Sequence, residues 1–351
     1  MPLNLINVKR GIKYRCSKCG FSTPAMTWMW RCPHCGHPLD LDFETRKPKA
    51  ASSRELLKVI PVEKPINLGE GFTPLINAGN YIIKMEALNP TGSFKDRGWS
   101  IAASIMDALM IEDSSGNAGV SLAAYSRGAG IKSRIYVPAT ASPSKKSLMR
   151  LLGADVVEAQ SRSEAARLAL NDRDGVYVGH SWNPFFLEGT KLIAYELRYQ
   201  FEAVESVILP LGNGTLLLGL YKGFKEMIEE GLMKDMPRLI AVEAQGYCSA
   251  FTALTGRNCF HRATLPEGIM VSEPPRLDQI IAAIKESGGD IVLAGDDDVV
   301  TGLRMALSLG LVVEPTSAVV FAVKPSTGAV YIMTGSGLKM IDVMQRLFPI
   351  Q

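Results

Sequence analysis

Four cysteines and one lysine are the side chains of this 351-residue chain whose type and spacing point most directly to chemistry. Cys16 and Cys19 form one Cys-x-x-Cys pair and Cys32 and Cys35 a second, with twelve residues between the pairs. Each pair can turn two sulfurs toward one ion, and the spacer is long enough to fold a small hairpin. Four thiolates complete a tetrahedron, so the expected occupant is a structural zinc ion; a catalytic zinc keeps one position open. Free thiols or two disulfides are the plainer alternative, and a reducing compartment disfavours the disulfides. His34 and His37 lie beside the second pair and are read as bystanders. Cys248 and Cys259 stand apart in a body otherwise without cysteine.

Lys95 follows the strand-like run YIIKM and the turn Pro90-Thr91-Gly92-Ser93, and sits where a helical pattern begins. The positive end of a helix disfavours an ammonium and so favours the neutral amine, the form that attacks an aldehyde. Taken alone, a solvated surface lysine is the ordinary reading of such a position. Two later loops have the composition of anion cradles. In Ser114-Ser115-Gly116-Asn117-Ala118-Gly119, short side chains and backbone amides precede a helical pattern, which also fits a plain helix cap. Gly212-Asn213-Gly214-Thr215 follows the apolar run SVILPL and opens another helix, offering free amides to a phosphate or simply a tight turn. Near the C-terminus the run AVYIMTG leads into Thr334-Gly335-Ser336-Gly337.

Those loops need elements that hold them. From about Tyr81 onward, short β-branched runs such as RIYVP, SVILPL and LIAVEA alternate with helical patterns such as SEAARLALND. The alternation predicts an α/β protein with a mainly parallel sheet, and the polar loops fall at the carboxyl ends of strands, where open α/β sheets bind ligands. Residues 1–45 form a cysteine-bearing module, followed by a charged, proline-containing linker. Nearly half the residues are hydrophobic, enough for a large core, and the net charge of +3 is spread without a basic block. Only Lys9, Arg10, Lys13, Arg15, Lys18 and Arg31 give the cysteine module a positive face, so nucleic acid is not an expected partner. No run reaches membrane-spanning length and the first residues lack a signal-peptide pattern, so no membrane partner and a cytoplasmic location are expected.

The segment NPTGSFKDRG resembles the lysine motif of fold-type II pyridoxal-phosphate enzymes, and in this form it is most similar to the threonine synthase family. The likeness runs from about Gly69 to Lys339, and zinc ribbons like that of residues 16–35 occur in that family. It implies a tryptophan synthase beta-like fold: a large domain from residues 46–84 and 191–351, a smaller α/β domain of residues 85–190 inserted into it, and the cofactor in the cleft. It further implies pyridoxal 5'-phosphate carried as a Schiff base by Lys95, which is also the catalytic base. Asn117 would bond the phenolic oxygen of the cofactor; Gly212, Asn213, Gly214 and Thr215 would hold its phosphate. Thr334, with Ser336 second, would meet the pyridine nitrogen. A hydroxyl there leaves that nitrogen largely unprotonated, which suits elimination and replacement better than transamination. Ser114, Ser115, Gly116, Ala118 and Gly119 would hold the carboxylate of a small amino-acid substrate. A homodimer is the common assembly of such enzymes.

GHSWNPFFLEGTKLIAYEL is similar to the threonine synthase segment that runs through an Asn-Pro and a Glu-Gly pair into a helix. The implied reaction converts O-phospho-L-homoserine and water to L-threonine and phosphate. Threonine synthases typically carry a second hydroxyl after the asparagine and a basic residue after Asn-Pro; Ala118, Phe185 and Phe186 stand here. A dianionic leaving group wants several donors or cations. Lys84, Lys145, Lys146, His180 or Ser181 could supply them, although core packing or surface charge is the ordinary role of each. SSGNAG is also similar to the asparagine loop of serine and threonine dehydratases, so a β-eliminating lyase is the alternative. A module that binds the cofactor or an amino acid without turnover is a third reading, opposed by the intact Lys95.

Overall fold

A computed structural model describes residues 3–50 and 52–348. The chain divides into two compact units, residues 1–70 with 95–190 and residues 71–94 with 191–351. The expected parallel α/β architecture is present in both.

The first unit carries two sheets. Strands Lys13–Arg15, Ser22–Pro24 and Asp40–Asp42 form a small antiparallel sheet with Lys13–Arg15 in the middle, its Tyr14 opposite both Thr23 and Leu41. The second sheet is wholly parallel, in the order Asp155–Ala159, Ser133–Pro138, Met110–Asp113, Val176–Tyr177. Helices Lys95–Ala102, Asn117–Gly128, Pro143–Leu151, Arg162–Asn171 and Pro184–Thr190 belong to this unit. The cysteine module does not stand alone within it. Trp28 Nε1 donates to the carbonyl of Tyr177 at 2.9 Å, Trp30 packs edge-on to Tyr177 and Trp182, and Tyr14 and Trp28 both face Phe185. Aromatic residues bring large contact areas with few rotatable bonds, so a small module can dock firmly through them.

The second unit is built on six strands in the order Asp290–Ala294, Arg238–Ala244, Ser206–Leu211, Ala329–Ile332, Tyr81–Lys84, Leu75–Ala78. All pairings are parallel except the last, a hairpin. Every residue of the central strand Ser206–Leu211 is buried, as a strand covered on both faces requires. That is why SVILPL reads as an unbroken apolar run. One core side of this sheet gathers Ile83, Ile208, Val242, Val299, Leu303, Val319 and Tyr331. Cys248 and Cys259, distant from the cysteine cluster in sequence, are joined by a disulfide that closes the loop around helix Ser249–Thr255. Among the described residues no helix is long and apolar enough to cross a membrane.

Candidate active site and metal centre

Lys95 is the first residue of helix Lys95–Ala102, whose remaining seven residues are all buried. The lysine itself is half-buried, with its amine 5.6 Å from the centre of the Phe186 ring. That ring lies close because position 98 is glycine: a Cβ there would run into Phe186. Trp99, on the same helix, packs edge-on to Phe186 and donates its indole N–H to the carbonyl of Ala118 at 3.0 Å. The lysine helix and the asparagine loop are thus tied together inside one unit.

In that loop Asn117 begins helix Asn117–Gly128, and the side chain of Ser114 turns inward to accept from the amides of Gly119 at 3.1 Å and Gly116 at 3.4 Å. Ser114 therefore shapes the loop from within. Ser115 accepts from the Arg162 guanidinium at 3.3 Å, which puts a cation beside the loop. Ala118 and Gly119 are buried, while Ser115, Gly116 and Asn117 are partly open.

Immediately before the loop, on strand Met110–Asp113, Glu112 is fully buried. Its Oε1 lies 2.5 Å from His180 Nδ1 and accepts from the His180 main-chain N–H at 3.1 Å. Among the described residues its Oε2 has no hydrogen-bond partner. Burial pushes the Glu112 carboxyl up to about 8, opposed by the His180 amide and the charge of Lys95, and burial together with Lys95 pushes His180 well below its usual value. Neither residue was singled out for the proton chemistry of Lys95 by the sequence. The available signal was an acidic residue inside a strand that a parallel sheet must bury.

Phe185 and Phe186 are fully buried, and their aromatic neighbours explain the departure from a basic residue after Asn183-Pro184. Phe185 faces Tyr14 and Trp28 of the cysteine module, and Phe186 faces Trp99, His180 and Lys95. Of the cations that could serve a leaving phosphate, Lys84 is committed elsewhere. Its buried amine bonds Thr73 O, Glu196 Oε2 and Gln200 Oε1 at 2.7–2.8 Å, which uses all three of its protons. Lys146 pairs with Glu158 and also donates to the carbonyl of Ala139, and Lys145 is buried.

The second unit holds the other predicted residues. Strand Ser206–Leu211 ends in Gly212, Asn213 and Gly214, and the 15-residue helix Thr215–Glu229 follows. Gly214 caps the helix with a left-handed backbone at φ 82°, and a Cβ there would strike Ile280. Gly212 passes so close to Gly268 and Ile269 that a Cβ would sit 3.0–3.1 Å from their backbone. The first turn of such a helix presents amides without intrahelical acceptors, which fits a phosphate. Thr334 is buried, its Oγ1 2.9 Å from Ser317 Oγ. Its carbonyl accepts from Phe94 N–H at 3.1 Å, Ser336 N–H donates to Gly92 O at 2.9 Å, and Lys339 Nζ bonds the carbonyls of Thr91 and Gly92. The turn leading to Lys95 is therefore stitched to the segment that carries Thr334.

In the cysteine module the four sulfurs lie within 4.8 Å of one another, with Cys16–Cys35 and Cys19–Cys32 each at 3.5 Å. A tetrahedron with metal–sulfur bonds of about 2.3 Å needs sulfurs about 3.8 Å apart, so the cluster fits a single ion. His34 packs on Phe21 and His37 Nδ1 meets the carbonyl of Pro38, outside the cluster.

Residues 66–326 match the family described as pyridoxal-phosphate dependent enzymes, and residues 14–37 match the rubredoxin metal-binding domain. The chain is 30% identical to a threonine synthase of Methanocaldococcus jannaschii over 95% of this chain and 94% of that one. It is also 30% identical to the Mycobacterium bovis threonine synthase, over 85% and 90% respectively. Among solved structures, a tomato threonine deaminase superposes with a TM-score of 0.67 at 22% identity, covering 88% of this chain and 98% of that one. A maize serine racemase gives 0.65 at 18%, covering 79% and 91%. These last two likenesses concern the fold. On the full-length similarity, the chain belongs to the fold-type II pyridoxal-phosphate dependent enzymes, in the threonine synthase family, with a rubredoxin-type metal-binding module ahead of the catalytic fold.

Proposed function

We propose that the chain is a threonine synthase that converts O-phospho-L-homoserine and water to L-threonine and phosphate. The observation that carries this reading is the Thr91–Phe94 turn ahead of Lys95 hydrogen-bonded to the MTGSGLK segment, in a chain alike over nearly its whole extent to proteins of that name. Bound pyridoxal phosphate supplies the electron sink that makes the substrate's carbon-bound protons acidic. Lys95 would hold the cofactor and then take and return protons as its amine. The amides of Gly212–Thr215 would bind the cofactor phosphate, Asn117 its phenolic oxygen and Thr334 its ring nitrogen. Ser115 would receive the substrate carboxylate through its amide and hydroxyl, with Gly116 and Gly119 leaving room beside it, Ala118 packed behind and Ser114 bracing the loop. Arg162, beside Ser115, is a cation suited to an anionic substrate group. We further propose that the ion of the four-cysteine site is zinc in a structural role, and that the enzyme works as a homodimer in the cytoplasm.

One observation favours a second reading. Phe185 and Phe186 are packed into the first unit where a basic residue would serve a phosphate, which suits a β-eliminating lyase acting on a hydroxy amino acid. Side-by-side turnover of O-phospho-L-homoserine, L-threonine and L-serine separates the two. Phosphate and threonine released together support the synthase, and keto acid from serine or threonine alone overturns it. Lys95→Ala should abolish whichever turnover is found together with the cofactor's visible absorption band. Elemental analysis should find about one zinc per chain; iron in its place would overturn the zinc assignment.

A further inference from the structure

We propose that Glu112 and His180 form a proton-holding pair that tunes the basicity of Lys95, making both of them positioning residues for the reaction. The proposal deepens the reading above and rests on Lys95 being the residue that carries the cofactor.

Glu112 is fully buried, yet among the described residues one of its oxygens has no hydrogen-bond partner, an arrangement that costs stability. Its other oxygen meets His180 Nδ1 at 2.5 Å, so a hydrogen bond joins the two groups. Phe186 is the common wall: its ring packs against the His180 ring at 5.6 Å and has the Lys95 amine 5.6 Å from its centre. Beside that shared ring a charge on the pair acts on Lys95.

The surroundings decide which charge state the pair adopts. Across the sheet Glu112 faces the apolar Ile135. Along its own strand stands Asp113, whose carboxyl is raised by burial and by Glu112, and which accepts from the Tyr177 hydroxyl at 2.8 Å. The Tyr177 phenol is itself held protonated by burial and by the charges of both carboxyls. Lys95 is the cation whose charge acts on Glu112 and His180. With its proton, the pair is uncharged, gives an ammonium on Lys95 no counter-charge, and so favours the neutral amine. Without it, the pair carries one negative charge that holds a proton on the Lys95 nitrogen. Deprotonation of the pair and of Lys95 are therefore linked, each making the other harder. Burial pushes the Glu112 carboxyl up to about 8, so the pair gives up its proton in a range where such a link can act.

The test uses the holoenzyme reconstituted with pyridoxal phosphate. The chain has four histidines, so selective nitrogen-15 labelling can follow the His180 ring, assigned with His180→Gln, from pH 5 to 10. The His180 signals of the wild type should shift in one step near pH 8, and the step should vanish in Glu112→Gln. In the same variant the pH midpoint of the cofactor's visible band should fall by about one unit, and the pH profile of kcat should lose the matching limb while KM changes less. Glu112→Asp should restore part of the step. A His180 ring that titrates near its ordinary value, or not at all across this range, overturns the proposal without any variant needing to fold. So does an unmoved midpoint of the band in a folded Glu112→Gln enzyme. Failure of the underlying reading has a different signature: Lys95→Ala would keep the visible band.

Discussion

Gly98 and Glu112 show how much of the first unit's chemistry is set by single residues. Gly98 lets the Phe186 ring lie against the lysine helix, and a methyl there meets that ring with no room to retreat, because Phe186 is itself packed on Trp99. Gly98→Ala should lower stability by about 1–3 kcal/mol despite its better helix propensity. Denaturant unfolding measures this, and a neutral or stabilising result would mean the ring can move away. Glu112 sets a pH dependence of stability. Its carboxyl sits at about 8 when folded and Glu243, buried in the second unit, at about 7, both above the ordinary value of 4.5. Between 4.5 and about 8 the folded chain therefore binds more protons than the unfolded one, so this contribution is complete at low pH and is lost as pH rises. His180, held below its ordinary 6.5, acts in the opposite sense but only below that value. The thermal midpoint should thus be lower at pH 9 than at pH 7, with the gap smaller in Glu112→Gln; an equal gap in the two proteins would contradict the burial account.

At the scale of elements, the proposed phosphate cradle depends on one backbone conformation. Gly214 stands in the left-handed region at φ 82° with Ile280 against the place a Cβ would occupy. Gly214→Ala should strain the turn and displace the amides of Gly212–Thr215, weakening pyridoxal-phosphate binding about tenfold or more. Titration of the apoenzyme with the cofactor reads this directly, and unchanged affinity would remove the cradle role. The turn was legible in the sequence because Gly-Asn-Gly-Thr after a continuous apolar run has few other uses. The parallel sheets were legible for the same reason, since SVILPL and RIYVP have the composition of strands buried on both faces. Pairings across sequence distance were not. Nothing local shows that Thr91–Phe94 will bond to residues 334–339, that Lys84 will be enclosed by Thr73, Glu196 and Gln200, or that Cys248 will meet Cys259. Phe185 and Phe186 read as departures from a family pattern until the aromatic residues packed on them are known.

For the molecule as a whole, the metal-binding module is joined to the chemistry through the first unit rather than appended to it. Its three strands are only three residues long each, too short to hold together without the ion, so metal binding and folding of the module should be one event. The face it then presents, Tyr14, Trp28 and Trp30, closes over Tyr177, Trp182 and Phe185. Those residues flank His180, and the Tyr177 hydroxyl bonds Asp113 next to Glu112, so a loosened module should loosen the surroundings of the proton-holding pair. Chelating the ion should lower the thermal midpoint by about 5 °C or more. In hydrogen exchange, peptides covering residues 12–42 and 176–187 should lose protection together, while the Ser206–Leu211 strand and its following helix keep theirs. Restoring the ion should reverse both changes. If residues 12–42 open and residues 176–187 remain protected, the module folds by itself and its aromatic contacts contribute nothing to the ordering of the His180 segment.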